Sequence, residues 1–471
     1  MTELLFSHDA VGLSELVRRK EVSPLELVDA AISRIETIDS SIHAVCGRAF
    51  EQARLQAQAF VVDTQGSPFA GVPFLVKDVL SYPGLPLSMG SRLFQGNMAS
   101  LSSPYVERLK SSGLIPLGTT TSSEFGLLGS TETLAHGPTY NPWDLSKSAT
   151  GSSGGAAAAV AARLTPIAHA SDGGGSIRIP ASACGVFGFK PSRGRQLPAG
   201  PGFAYDLVVE HAVSRSVRDS AHLLSWTANN DAKHLPPLGL VSSPLRRRLR
   251  IGFYSKTLLG QHASEDSLDV LKKTIALCES LGHELVETSL PDFDGRQLGS
   301  SFFVCAGAAL RHVSNMMQGM LGRSIGEADF EPFTLALLAW FDGLPEGSLS
   351  RASAYFDQVS SQFRAFLSNF DVLLCPTLPI PTPSIGFLDP KTPFEEIMRR
   401  TESLAGFTPI HNIAGVPAMS VPLFSTGAGL PLGSHFAANL GDDSLLLELA
   451  YQLEQAAPWA SRSPAIAGSP G

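Results

Sequence analysis

Thr150-Gly151-Ser152-Ser153-Gly154-Gly155, an alanine run, and then Asp172-Gly173-Gly174-Gly175-Ser176-Ile177-Arg178-Ile179-Pro180 form the stretch that decides the reading of this 471-residue chain. Two glycine-flanked serine clusters bracket a segment, Ala156 to Leu164, of almost nothing but Ala and Val. Alanine costs little helix entropy and permits close approach to neighbours, so a buried helix is predicted there. The flanking glycines open backbone angles closed to other residues and bare consecutive N–H groups. Such groups suit an anion developing on a substrate, which makes Ser152 and Ser176 the candidate reactive residues. The amides of Gly173, Gly174, Gly175 and Ser176 would form the oxyanion hole.

A serine hydroxyl is a poor nucleophile until a base takes its proton. Gly151 to Gly155 matches the bare Gly-x-Ser-x-Gly pattern with Ser153 central, but the polar Lys147-Ser148-Ala149-Thr150 ahead of it reads as no strand, so the nucleophile-elbow setting is missing. Ser176 has Arg178 where the second glycine belongs. His169, the histidine nearest in sequence, falls on a predicted strand and reads as a core residue. Lys77 is the remaining base, in the short apolar strand Leu75-Val76-Lys77-Asp78-Val79. Lysines are seldom buried without a partner or a task, and pairing with Asp78 is the structural alternative. Desolvation would lower its pKa, and Ser152 would relay a proton between Lys77 and Ser176. Asp172 and Arg178, six residues apart around the glycine turn, are expected to pair or to bind loop backbone. Nucleotide binding lacks its Gly-Lys-Ser/Thr ending, and no metal or other cofactor is expected, because no clustered His and Cys spacing occurs.

Composition narrows the class. A net charge of −8, from 35 basic and 43 acidic residues, gives no support for a nucleic-acid partner. The run Arg246-Arg247-Arg248 with Arg250 reads as a solvated face. Five scattered cysteines without CxxC spacing read as free thiols in a reducing compartment, and with no secretory signal or membrane span in the sequence the expected location is cytoplasmic. Along the chain, Ser23, Pro24 and Glu26 open a helix over 23–38. A turn is predicted at 63–67, a linker at 228–248, and a strand, helix and strand unit at 249–290. Helices follow at about 301–320 and 351–369, strands at 371–377, 418–422 and 433–437, a closing helix at 444–456, and a frayed end from 462.

The chain resembles the amidase signature family. The likeness runs through Gly71-Val72-Pro73-Phe74-Leu75-Val76-Lys77-Asp78, Asn141-Pro142-Trp143-Asp144, both serine clusters, Gly185-Val186-Phe187-Gly188-Phe189-Lys190-Pro191, Cys375-Pro376-Thr377, Asn412 to Pro422 and Gly429-Leu430-Pro431-Leu432-Gly433. It implies an α/β fold: one domain over 1–465 around a twisted, mixed, mostly parallel sheet of about eleven strands flanked by helices. The catalytic core would lie at about 65–225 and 370–460, with an inserted peripheral region at 228–365 and a flexible tail at 466–471.

The same resemblance makes Ser176 the acyl-forming nucleophile, Ser152 the bridging serine behind a cis peptide bond, and Lys77 the base. Asp172, Arg178 and Ser153 would be structural support. The implied activity is hydrolysis of a linear or cyclic carboxamide, with an esterase or a glutamine amidotransferase subunit as alternatives. The substrate is a small amide, and the assembly is left open to a homodimer. Thr121 and His435 depart from residues common in the family at positions expected to face substrate. Phe125, with Leu127, Phe303 and Phe436, points to an apolar acyl part. Ala181 to Gly185 and Pro458 to Pro464 are most similar to the 6-aminohexanoate cyclic dimer hydrolase-like members, in which a pocket cysteine aligns with Cys305.

Overall fold

Ser23 starts the first long helix, α1 (Pro24–Ile42): its Oγ accepts from the Glu26 N–H while the Glu26 carboxylate accepts from the Ser23 N–H, the reciprocal cap that Ser-x-x-Glu encodes. Leu27, Val28, Ala31, Ile32, Ile35 and Ile42 form its buried stripe; it runs four residues beyond the predicted end, and His43 closes it in the left-handed conformation. The computed structural model describes residues 2–62, 66–200 and 205–468. Most of the turn expected at 63–67, and residues 469–471 of the expected tail, lie outside them.

Eleven strands join one sheet: β1 (Val45–Arg48), β2 (Val72–Lys77), β3 (Leu114–Thr120), β4 (Ile167–Asp172), β5 (Phe187–Lys190), β6 (Val209–Ser214), β7 (Arg250–Phe253), β8 (Glu284–Glu287), β9 (Val372–Pro376), β10 (Ala418–Ser425) and β11 (Pro431–Ala438). Their spatial order is β1-β3-β2-β4-β6-β5-β10-β11-β9-β7-β8. Neighbours are parallel at β3/β2, β2/β4, β9/β7 and β7/β8, and antiparallel at the other six contacts. The sheet is mixed, as the resemblance implied, with antiparallel contacts through its centre. Parallel pairing needs a crossover, and the crossovers lie toward the two flanks.

Between the serine clusters, α2 (Gly154–Ala161) is buried along its whole length. Short side chains on every face let it press against β3 and β4, and it opens two residues before the predicted start because Gly154 and Gly155 enter the helix. The second cluster leads into α3 (Arg178–Cys184), also buried throughout. Farther on, the predicted strand, helix and strand unit appears as β7, Glu265–Ser280 and β8, completing one edge of the same sheet. The helix α4 (Gly295–Leu321) and the helices Pro332–Asp342 and Ser348–Leu367 follow, the middle one unanticipated. Two sequence expectations need correction. The polar residues before the first cluster do include a strand, Asp144–Ser148, paired with Tyr140–Asn141 in a two-stranded ribbon outside the main sheet. The chain end is pinned as far as Ala467, which is buried and whose carbonyl accepts from Arg34 Nη2 at 3.0 Å, so it does not fray from 462.

Packing around α2 leaves no spare volume. A Cβ on Gly155 would lie 2.6 Å from the Thr121 nitrogen and 2.7 Å from the Ala44 oxygen, both main-chain atoms. Gly155→Ala should therefore lower stability by about 1–3 kcal/mol through overpacking, read as a lower urea midpoint; an unchanged midpoint would show that the helix can shift away.

Candidate active site

Lys77 is the last residue of β2 and Asp172 the last of its parallel neighbour β4, so both chain ends open at the same edge of the sheet, where α/β folds collect ligands. The Lys77 side chain is only 1% exposed. Its Nζ donates to Ser152 Oγ at 2.8 Å and to Ser171 Oγ at 3.0 Å. The suspected alternative partner faces elsewhere: the Asp78 carboxylate accepts from Ser88 N at 2.7 Å and Gly90 N at 3.1 Å, and from the Ser88 hydroxyl. Burial lowers the Lys77 pKa to about 8, with the negative charges of Glu210 and Asp172 limiting the fall.

Ser152 follows a cis peptide bond, Gly151–Ser152, and the preceding Thr150 has φ 57°. Gly151 runs so close to the Ser130 carbonyl that a Cβ there would collide with it. The two clusters interlock through Ser153, whose N–H donates to Ser176 O at 3.3 Å and whose Oγ donates to Ser171 O at 3.2 Å. Ser176 is half-buried, and its hydroxyl has no hydrogen-bond partner among the described residues.

Asp172 shapes the glycine turn from within. Its carboxylate accepts from Gly175 N at 2.7 Å and Ile177 N at 3.1 Å, and from Arg178 Nε and Nη2 at 2.9 and 3.0 Å. Burial alone would raise the Asp172 pKa; the Arg178 guanidinium, with Lys190 and Asn412, holds it well below the usual carboxylate range. Arg178 donates further to Thr408 O (3.0 Å) and Asn412 Oδ1 (2.6 Å), and its Nη1 lies 3.0 Å from His435 Nε2. One expectation changes. The Gly175 N–H is already held by Asp172, whereas those of Gly173, Gly174 and Ser176 meet no acceptor among the described residues.

A family model described as Amidase matches residues 26–447. The chain belongs to the amidase family. It is 36% identical over 457 residues to the putative amidase AmiC of Mycobacterium tuberculosis (strain ATCC 25618 / H37Rv), covering 96% of this chain and 95% of that one. It is 32% identical over 493 residues to the 6-aminohexanoate-cyclic-dimer hydrolase of Pseudomonas sp. (strain NK87), covering 99% and 98%. The solved structure of 6-aminohexanoate cyclic dimer hydrolase complexed with substrate superposes with a TM-score of 0.90 at 31% identity, covering 98% of this chain and 100% of that one. This protein is thus an amidase, an enzyme of carboxamide bonds that acts through a serine acyl-enzyme.

In this amidase several residues expected to touch substrate are placed otherwise. Thr121 is buried beneath α2, its hydroxyl 2.6 Å from Thr139 Oγ1. His435 is wholly buried between Arg178, Cys375 and His411, and burial drives its pKa well down. Both are held by the framework rather than exposed to a ligand. Phe303 and Phe436 belong to separate buried core clusters. Phe125 lies against Phe94 and Phe330, and its neighbour Gly126 passes close to Ser152: a Cβ there would be 3.4 Å from Ser152 Oγ. The aromatic wall of the turn is instead Phe302 on α4, whose Cζ would meet a Gly174 Cβ at 2.9 Å, with Val208 beside Gly173. Cys305 stands one helical turn on from Phe302, on the same face; it is half-buried, and burial pushes its thiol up to about 11. Adjacent residues on a helix point about 100° apart, so Phe302 and Phe303 pack on different clusters, and that phase was the available signal for Phe302. Ser171 gave no sequence signal, and Asn412 only opened a stretch of family likeness with no role attached.

One grouping of metal-binding side chains exists among the described residues, Cys46, Asp78 and His136, with ligand atoms within 4.8 Å of one another. Ser88 Oγ lies 2.7 Å from His136 Nε2 and also donates to Asp78, so hydroxyl and backbone donors already hold that carboxylate. Asp78, Ser88 and His136 thus form a hydrogen-bond knot, while the Cys46 thiol pairs with Thr119. Breaking the other buried knot tests the turn: Arg178→Ala would leave Asp172 buried without its counter-ion and should cost about 3–5 kcal/mol in urea denaturation. A loss under about 1 kcal/mol would mean that the pair does not hold the turn.

Proposed function

We propose that Ser176 is the nucleophile of this amidase and that Lys77, acting through Ser152, is its base. The observation that carries this reading is the 2.8 Å contact between the buried Lys77 amine and the Ser152 hydroxyl, next to a cluster in which Ser176 is half-exposed. A neutral Lys77 takes the Ser152 proton while Ser152 takes that of Ser176, and the Ser176 oxygen attacks the amide carbonyl. The oxygen that turns negative lies against the free N–H groups of Gly173, Gly174 and Ser176. Collapse of the tetrahedral intermediate needs a protonated nitrogen; the same two hydroxyls carry the proton back from Lys77, and the amine leaves. Water then attacks the acyl-Ser176 ester by the same relay.

The substrate is a small linear or cyclic carboxamide with an apolar acyl part. Phe302 and Val208 support this, standing against the turn, as does Phe125, next in sequence to the Gly126 that passes Ser152. Five cysteines, none in a disulfide, support a reducing, cytoplasmic setting, and no helix among the described residues is long and apolar enough to cross a membrane. Fluorophosphonate or sulfonyl fluoride trapping followed by peptide mass spectrometry tests the assignment. Label is expected on Ser176 and is lost in Lys77→Ala, and Ser152→Ala should slow amide hydrolysis about 10²- to 10⁴-fold, the range for general acid–base groups. Label on Ser153 or Cys305 with Ser176 untouched, or a near-normal rate in Ser152→Ala, would overturn it.

A further inference from the structure

His169 and Glu210 form a buried pair behind Lys77 that the relay does not use. His169 is wholly buried on β4; its Nδ1 accepts from the Lys77 backbone N–H at 3.3 Å, and its Nε2 lies 3.0 Å from Glu210 Oε2. These contacts fix the ring's tautomer, because a nitrogen that accepts from an N–H carries no proton. The proton therefore sits on Nε2 and points at the Glu210 carboxylate. In the β4/β6 register Glu210 stands directly opposite Ser171, the residue whose hydroxyl contacts Lys77 Nζ. The carboxylate is thus anchored by the ring at one side of the lysine and by the strand pairing at the other.

Resting on the reading of Lys77 as the base, we infer that the His169–Glu210 pair is a positioning dyad that sets the orientation and charge state of the Lys77 amine. The anions whose fields reach Lys77 are Glu210 and Asp172. Asp172 is bound to Arg178 and so is largely neutralised where it stands. Glu210 has His169 as its only hydrogen-bond partner among the described residues, and no lysine or arginine there is paired with it. Tyr105, whose ring centroid lies 6.0 Å from that of His169, is buried with an unpartnered hydroxyl and adds no charge. His211, on the same strand as Glu210, is bound to Ser220 and is kept neutral by burial.

A lysine base must be neutral to accept a proton, yet basic enough to pull one from a serine. Burial favours the neutral form and a nearby carboxylate favours the ammonium, so Glu210 opposes the effect of burial. Replacing it with a neutral amide of the same shape should make Lys77 lose its proton at lower pH and become a weaker base. In Glu210→Gln the acid limb of kcat/KM should move to lower pH by about one unit, while the plateau rate falls. Glu210→Asp keeps the charge and should leave the limb within a few tenths of a unit of wild type, even if shortened contacts lower the plateau. A purely structural role would lower the plateau in both variants without moving the limb in either. A limb unmoved or raised in Glu210→Gln, or moved equally in both variants, would overturn the proposal. Should Glu210→Gln not fold, His169→Gln replaces it: loss of the ring frees the carboxylate, so the limb should shift by at least half a unit, and an unmoved limb would refute the dyad. Lys77→Ala separates this proposal from the reading beneath it, because hydrolysis persisting there with the same acid limb would refute Lys77 as the base, whatever Glu210 does.

Discussion

A primary amine held out of water, with hydroxyls in place of a carboxylate at its tip, is the constraint around which this molecule is arranged. Ammonium groups are costly to bury unless paired, and a salt bridge would fix the charge and end any use as a base. Lys77 avoids that outcome through topology. Asp78, the next residue in sequence, faces the Ser88 and Gly90 side. The serines that do reach the amine arrive from two separate segments, Ser152 from the first cluster and Ser171 from β4. Parallel pairing of β2 with β4 makes this possible, because it lets both strands end side by side.

Charge that is excluded from the amine is concentrated one step away. Asp172 and Arg178 are both fully buried, and together with Thr408 and Asn412 at one short helix and His435 on β11 they tie the glycine turn to two distant parts of the chain. Gly175 adopts φ 136°, a backbone region that favours glycine, and a Cβ there would strike the Thr408 side chain. The turn's side chains are thus saturated with partners, while the amides of Gly173, Gly174 and Ser176 meet no acceptor among the described residues and are able to meet an anion. Interlocking through Ser153 makes the position of one cluster depend on the other.

Much of this was legible because the relevant signals are local. Each serine cluster, the lysine strand and the α1 cap occupies a short continuous stretch, and glycine, proline and capping residues report the backbone directly. What the sequence could not convey was direction. Thr121 and His435 stand at positions that differ from the family pattern, but position does not say which way a side chain points, and both turn into the framework. Phe302 and Phe303 are neighbours with opposite fates, decided by the phase of α4 against its surroundings. Asn412 acts through contacts with Asp172 and Arg178 more than 230 residues away in sequence, for which no local pattern exists. The ribbon strand Asp144–Ser148 was hidden for the converse reason: it is partly exposed and polar, so it lacks the apolar run that marks a core strand. The extent of antiparallel pairing at the sheet centre depended on how distant strands met, which periodicity does not encode.

The most direct test of the central claim is a ¹⁵N NMR titration of the Lys77 amine in the intact, unliganded enzyme, assigned by its absence in Lys77→Arg. The account predicts a midpoint at about 8, depressed by burial. A midpoint near the 10.5 of an ordinary lysine would mean that the amine remains charged at working pH, and the proton route from Ser176 through Ser152 would have no place to end.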